Sequence, residues 1–322
     1  MSRRDDVLAA LKAAGEAGVS GEALARELAV SRVAVSKHVC ALRDLGYRIE
    51  GEPGRGYVLL GVPDLLLPGE LRPLVDSQLW TRLEGGPETG STNDDCKLLA
   101  REGADEGTVV VAGRQTAGRG RLGRMWESPG GGAYLSALLR PGLSLGELAP
   151  LPLAVGIAIA RALDALGAGD VGLKWPNDVW LSGSKVAGVL IEISAESDRV
   201  EWVVAGIGVN VLRDEGARED AAYVRDVVGE ATPASVAAAV LGELAEVYAQ
   251  FQLEGFRGLA REYGSRSVLA DREVKVCDVG GRVRATGHAS GIDDLGRLVV
   301  ETSRGSVAVA AGDVTLVGSS LD

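Results

Sequence analysis

Cysteine is scarce in this chain of 322 residues. The three present, Cys40, Cys96 and Cys277, are odd in number and far apart. That excludes a disulfide framework and any metal motif built on paired cysteines, and it leads us to expect a reducing, cytoplasmic setting. No run of about 18 apolar residues stands out, which argues against a membrane span. Met1-Ser2-Arg3-Arg4 leads into a polar helix and not into an apolar signal core. Internal repeats and low-complexity stretches are missing. So are a P-loop ending in Gly-Lys-Ser/Thr and a dinucleotide fingerprint in its βαβ setting, which removes two common phosphate cradles.

What is present fits a globular protein of two or three domains: 46% hydrophobic and 25% charged residues, with Gly 45 spread over many turns. The net charge of −11 opposes nonspecific nucleic-acid binding by the chain as a whole. The charge is uneven. Residues 1–60 hold nine Lys/Arg against eight Asp/Glu, and the remainder holds 25 against 37.

Residues 1–62 read as three helices and a hairpin. Val7, Leu8 and Leu11 mark the first helix, over 5–15. Ser20 caps a second, with Leu24 and Leu28 inward. Ser31 caps a third, from Arg32 to about Leu45, with Val35, Val39 and Leu42 buried and Gly46 ending it. Strand-like Tyr47–Glu50 and Tyr57–Leu60 follow. This order is a winged helix-turn-helix. Its third helix would enter a DNA major groove, led by Ser31, Arg32, Ser36, Lys37 and His38, with Arg55 on the wing. The alternative is a winged helix used only for protein contacts.

Residues 63–75, rich in proline, read as a linker. Residues 76–266 alternate strands (108–113, 134–139, 171–175, 186–194 and 202–211) with helices (93–103, 151–166 and 234–255) and predict a mixed α/β domain around one sheet. Residues 267–322 carry short β segments, 273–277, 282–289, 297–301 and 307–310, split by turns, which predicts a small β-barrel.

The densest chemistry lies in Gln115-Thr116-Ala117-Gly118-Arg119-Gly120-Arg121-Leu122-Gly123-Arg124-Met125-Trp126. Glycines let backbone N–H groups close on a ligand, and arginines offer planar forks for phosphate or carboxylate. Two further segments complete the pattern. Lys174-Trp175-Pro176-Asn177-Asp178 ends a strand in a sharp turn. Lys185 comes seven residues after Asp178, a spacing that fits a hairpin returning Lys185 towards Asn177 and Asp178. Gly206-Ile207-Gly208-Val209-Asn210 ends another strand.

Together these segments resemble the biotin–protein ligase family, and the winged helix resembles its members that are ligase and biotin-operon repressor in one chain. The resemblance spans essentially the whole length. It implies a class II aminoacyl-tRNA-synthetase-like ligase domain of the biotin/lipoate type, followed by an SH3-like β-barrel. It also implies formation of biotinoyl-AMP from biotin and ATP with Mg²⁺, then transfer to a lysine of a biotin carboxyl carrier domain. A homodimer binding operator DNA is implied for the adenylate-bound state, with no membrane and no tightly bound prosthetic group.

By the same resemblance, Ser91, Thr92 and Asn93 sit at the biotin ring end. Gln115, Gly118 and Arg119 hold the carboxylate and phosphate. Gly120, Arg121 and Arg124 surround the phosphates, and Trp126 stacks on adenine unless it is a core tryptophan. Tyr134 lines the pocket or is an ordinary buried strand tyrosine. Lys185 contacts both carboxyl and phosphate, while Gly188 and Gly206 allow close approach to biotin. Asn177, Asp178 and Asn210 hold the nucleotide, the Mg²⁺ or the incoming lysine; Asp178 is the metal candidate. Catalysis is assigned to Lys185, Arg119, Arg121 and Asp178. Leu122 stands where the family often has a basic residue, and Ser184 where another basic residue is common. Three alternatives remain: a lipoate or octanoate ligase, a non-catalytic biotin-sensing repressor, and a ligase whose winged helix no longer represses.

Overall fold

Two serines start the helices that matter most in the N-terminal part. Ser20 Oγ accepts from the Ala23 amide at 3.0 Å, and Ser31 Oγ accepts from the Ala34 amide at 3.1 Å. Each satisfies an amide that a helix start would otherwise leave unpaired. The helices are α1 (Arg3–Ala14), α2 (Gly21–Glu27) and α3 (Arg32–Asp44), followed by β1 (Arg48–Glu52) and β2 (Gly56–Gly61) as an antiparallel hairpin. Val7, Leu8, Leu11, Leu24, Val35, Val39 and Leu42 are buried. Leu28, expected inward, is only half buried. This is the expected helix-turn-helix with a wing.

The structure is a computed structural model that describes residues 3–197, 199–214 and 217–317. It separates into two units, Met1–Asp64 and Leu65–Asp322. The stretch 63–75 is not the open linker that its prolines suggested. It contains α4 (Pro68–Leu71), and Leu66, Leu67 and Leu71 are buried in the second unit. Proline at the first helical position starts this turn where an amide is dispensable, so the prolines mark a helix start and not a tether.

The second unit is built on a seven-stranded sheet. In chain order its elements are β3 (Arg82–Gly86), α5 (Thr92–Arg101), β4 (Thr108–Ala112), β5 (Ala133–Leu139), α6 (Leu145–Leu148), α7 (Leu151–Ala165), β6 (Val171–Lys174), β7 (Asp178–Leu181), β8 (Ser184–Glu196), β9 (Arg199–Val209), α8 (Pro233–Glu254) and α9 (Arg257–Arg266). The strand order is β3-β4-β5-β9-β8-β7-β6, with β3 and β4 parallel and the other pairs antiparallel. Strand alternation assigns the two faces. Val109, Val111, Leu135, Ala137, Val203 and Ala205 join the large core that includes α7 and α8. Val110, Leu138, Trp202 and Val204 join a small cluster with Cys96 and Ala100 of α5. The stretch Leu145–Ala165 is apolar and long enough to cross a membrane, yet 72% of it is buried inside the fold. It is a core element of this domain.

The remaining strands, β10 (Glu273–Cys277), β11 (Val283–Ile292), β12 (Leu298–Thr302), β13 (Gly305–Val309) and β14 (Asp313–Leu316), form one antiparallel sheet in the order β13-β12-β11-β10-β14. Its Val274, Val276, Leu298 and Val300 belong to the same large core as the seven-stranded sheet. The last strand, β14, has no counterpart among the expected segments.

Candidate functional site

The Gly/Arg loop closes on itself as a narrow hairpin. Trp126 N donates to Gly118 O at 3.0 Å, and Gly120 N donates to Arg124 O at 2.7 Å. Its tip holds Leu122 at φ 59, a left-handed conformation that side chains seldom adopt. The hairpin forms one wall of a cavity. The other walls are Ser91, Thr92 and Asn93 at the start of α5, Lys174–Asp178 and Lys185, and the strand residues Gly188, Leu190, Gly206 and Gly208. Gln115, Arg119, Gly120, Arg121, Arg124 and Trp126 line it from the loop.

The floor is a shelf of backbone. Gly188 pairs with Gly208, and Leu190 with Gly206. A Cβ on Gly208 would stand 2.5 Å from Trp126 Nε1, and one on Gly206 would run into the Asn93 amide. Glycine is therefore required there for close approach. Trp126 lies over this shelf, its ring meeting the Cβ positions of both Gly208 and Gly188, with the Lys185 ammonium 5.2 Å from its ring centre, a cation–π distance. Its indole nitrogen is buried without a protein partner among the described residues.

One end of the cavity is neutral and tightly hydrogen-bonded. Gln115 Oε1 accepts from the Thr92 amide at 2.8 Å and from its hydroxyl at 3.1 Å. Ser136, fully buried on β5, stands 2.6 Å from Asn93 Oδ1 and 2.8 Å from Thr92 Oγ1. Ser91 is the N-cap of α5, but its hydroxyl makes no cap bond and stays available.

The other end is cationic, and Arg119, Lys185 and Arg124 each meet a carboxylate. Arg119 makes two bonds to Asp94, each 2.6 Å. Lys185 Nζ lies 2.6 Å from Asp178 Oδ1. This is the juxtaposition that the seven-residue return implied, made by β7 and β8. Arg124 pairs with Asp313, and Arg121 lies 3.8 Å from the same carboxylate while donating to Gly312 O at 3.4 Å. Burial pulls the Arg121 pKa below its usual value, against the pull of Asp313 and Asp178. Asn177 Nδ2 donates to Val189 O at 2.9 Å, and its Oδ1 accepts from Arg121 at 3.3 Å.

Three expected site residues lie elsewhere. Tyr134 and Asn210 line a separate small cavity with Gly132 and Tyr223. The Tyr134 ring turns back over the Cα of Gly132, and burial raises its pKa. Gly118 is buried behind the hairpin, against Trp126 O and Ser128, and is not a wall. Asp178 does not belong to any group of three metal-ligating side chains among the described residues. Conversely, sequence reasoning missed Asp94, Ser136, Glu192 and Asp313. A lone serine in the apolar run Tyr134–Leu139 was the available clue to Ser136. Nothing local marks Asp313, which lies 189 positions from Arg124.

In the first unit, Arg32, Ser36, Lys37 and Arg55 are exposed and His38 is half buried. Ser31 uses its hydroxyl as the helix cap, and Arg55 is paired with Glu52 at 2.6 Å. A groove between α3 and the wing is lined by Arg32, Val33, Ser36, Glu52, Pro53 and Tyr57, among others.

A glycine-floored, cation-walled cavity on a mixed sheet, in a chain that also carries a winged helix, defines a ligase of the biotin/lipoate class joined to a helix-turn-helix unit. Comparison with known proteins agrees. The model of the biotin/lipoate A/B protein ligase family matches residues 85–210, an HTH domain matches 3–58, and a biotin protein ligase C terminal domain matches 270–317. The chain is 32% identical to the bifunctional ligase/repressor BirA of Bacillus spizizenii, over 97% of this chain and 98% of that one. It is 33% identical to the Escherichia coli BirA over 91% of each. A structure of the biotin protein ligase from Aquifex aeolicus in complex with biotin and ATP is 31% identical, with a TM-score of 0.62, covering 73% of this chain and 98% of that chain. The chain belongs to the biotin protein ligase family, and it matches the bifunctional ligase/repressors across nearly their full length.

Proposed function

We propose that this protein is an ATP-dependent biotin–protein ligase that forms biotinoyl-AMP, transfers biotin to a lysine of a carboxylase carrier domain, and represses transcription in response to biotin. The observation that carries the reading is the cavity itself: a neutral hydrogen-bonded end at Ser91–Asn93 joined to a cationic end at Arg119, Arg121, Arg124 and Lys185. The first suits the polar ring of biotin. The second suits a carboxylate meeting a polyphosphate.

In the first step a biotin carboxylate oxygen attacks the α-phosphorus of ATP, the bond to the bridging oxygen breaks, and pyrophosphate leaves. Two like charges about 4 Å apart repel by about 4 kcal/mol at an effective dielectric near 20. Lys185 and the three arginines oppose that repulsion and stabilise charge on the reacting phosphoryl group. The carboxylates that pair with them are displaced or shared as the anions arrive. Mg²⁺ enters as part of the nucleotide substrate. Asp178 and the Asn177 amide fit such an ion, which commonly binds through phosphates and one or two carboxylates. In the second step the neutral ε-amine of the acceptor lysine attacks the acyl carbon, an amide forms and AMP leaves. Trp126, resting on the glycine shelf, is placed to cover the adenine and keep water from the anhydride.

The winged helix binds operator DNA through Arg32, Ser36, Lys37 and His38, with Arg55 at the wing, in a cytoplasmic protein that dimerises when the adenylate is bound. A ligand that prefers one state shifts the population towards it.

Incubation with ATP, Mg²⁺, biotin and a carrier domain, read by avidin blot, tests the enzymatic part. Lys185→Ala and Arg119→Ala should each lower the signal tenfold or more. Undiminished labelling by both variants would remove the site assignment.

A further inference from the structure

Arg119 is held by two bonds to a single carboxylate, and the residue that holds it lies outside the cavity walls. Each Asp94 carboxylate oxygen accepts from one terminal nitrogen of Arg119 at 2.6 Å. Two parallel N–H···O bonds fix the plane of a guanidinium as well as its position. Asp94 is braced in turn. Lys97, one turn further along α5, stands 2.8 Å from Asp94 Oδ1 and 2.7 Å from Glu192 Oε1. The other Glu192 oxygen accepts from Asn93 Nδ2 at 2.7 Å and lies 3.8 Å from Arg119.

The result is an alternating lattice of two anions and two cations. It ties Asn93 to Arg119, which approach the same Glu192 oxygen at 2.7 and 3.8 Å. Arg119 and Asn93 line the cavity; Asp94, Lys97 and Glu192 do not. The bonds to Arg119 and Lys97 hold the Asp94 carboxyl well below the ordinary carboxylate range, with burial opposing them, so Asp94 is charged at neutral pH. A guanidinium has five N–H donors. Two face Asp94, which leaves the rest of the fork for a ligand.

We propose that Asp94 is a positioning residue for the ligase reaction: braced by Lys97 and Glu192, it sets the orientation in which Arg119 receives the substrate carboxylate and the phosphate joined to it. This rests on the ligase reading.

The test is a double-mutant cycle on the full chain, read as biotin-dependent pyrophosphate release from ATP. Asp94→Asn should lower kcat at least fivefold, and Asp94→Glu should restore part of the loss. In an Arg119→Ala background the same Asp94→Asn change should cost less than twofold, since there is no guanidinium left to orient. A merely structural role predicts equal losses in both backgrounds, and that result overturns the proposal. Unchanged kcat in Asp94→Asn overturns it as well. Should Asp94→Asn fail to fold, Lys97→Met takes its place in the cycle with the same two expectations. A substrate-free readout is the Arg119 guanidinium NMR signal. It should show hindered rotation in the unaltered chain and free rotation in Asp94→Asn; free rotation in both overturns the clamp. If the unaltered chain releases no pyrophosphate with biotin, the ligase reading has failed and takes the proposal with it.

Discussion

Asp94 also makes a statement about acid stability. Its folded pKa lies below the ordinary carboxylate value because Arg119 and Lys97 favour the charged form. A group of that kind adds stability above its unfolded pKa and loses it as the pH falls towards the folded value. The difference in urea midpoint between the chain and Asp94→Asn should therefore be full at pH 5 and above and shrink below about pH 4, near the unfolded aspartate pKa. A difference that grew on acidification would contradict the pairing. Residue by residue, what the sequence disclosed was what short spacings encode. The Lys185–Asp178 contact follows from a hairpin count, and the Thr92–Gln115 bonds join two segments already singled out. Ser136, Glu192 and Asp94 owe their place to strand pairing and to a helix face meeting a loop, and no local pattern announces that. Tyr134 is a buried strand tyrosine whose ring lies over Gly132 and lines another cavity, a choice that local sequence leaves open.

The Gly/Arg hairpin is the element on which most of the site depends, and its fastening comes from a different part of the second unit. Arg124 pairs with Asp313 and Arg121 donates to Gly312 O, both at the start of β14. Asp313→Asn should weaken this tie. We expect faster amide exchange over residues 119–125 and a KM for ATP raised several-fold, with slower change in the biotin KM. Equal exchange in both proteins would show that the hairpin holds by its own backbone bonds. Long elements with clear patterning, α3, α7, α8 and β9, were legible to within a few residues. The short ones, β3, β7, β14 and α9, were not. Four- or five-residue strands carry too few alternations to stand out, and β7 hides inside the turn between two recognised motifs. The segment 63–75 was misjudged for a related reason. Its prolines dominate the composition, while Leu66 and Leu71 are the residues that bury it.

At the scale of the whole molecule, the two units have separate cores, and the division falls at Asp64/Leu65. A chain beginning at Leu65 should fold and transfer biotin at a rate within a few-fold of the full chain, and should lose operator binding entirely. Loss of transfer on that truncation would show that the first unit supports the ligase. For the full chain, biotin with ATP should increase the dimer fraction in analytical ultracentrifugation and tighten operator binding in the same concentration range; no change in either would sever the proposed link. The tie between Arg124 and Asp313 has a further consequence, for the order of synthesis. The helix-turn-helix is complete in sequence at residue 64, whereas the cavity lacks Asp313, which lines it and pairs with Arg124, until residue 313 has left the ribosome. The interval is about 250 residues, on the order of tens of seconds at 5–20 residues per second. A nascent chain thus carries a finished DNA-binding unit well before it can make its own effector, and a message truncated between codons 64 and 313 encodes the first without the second.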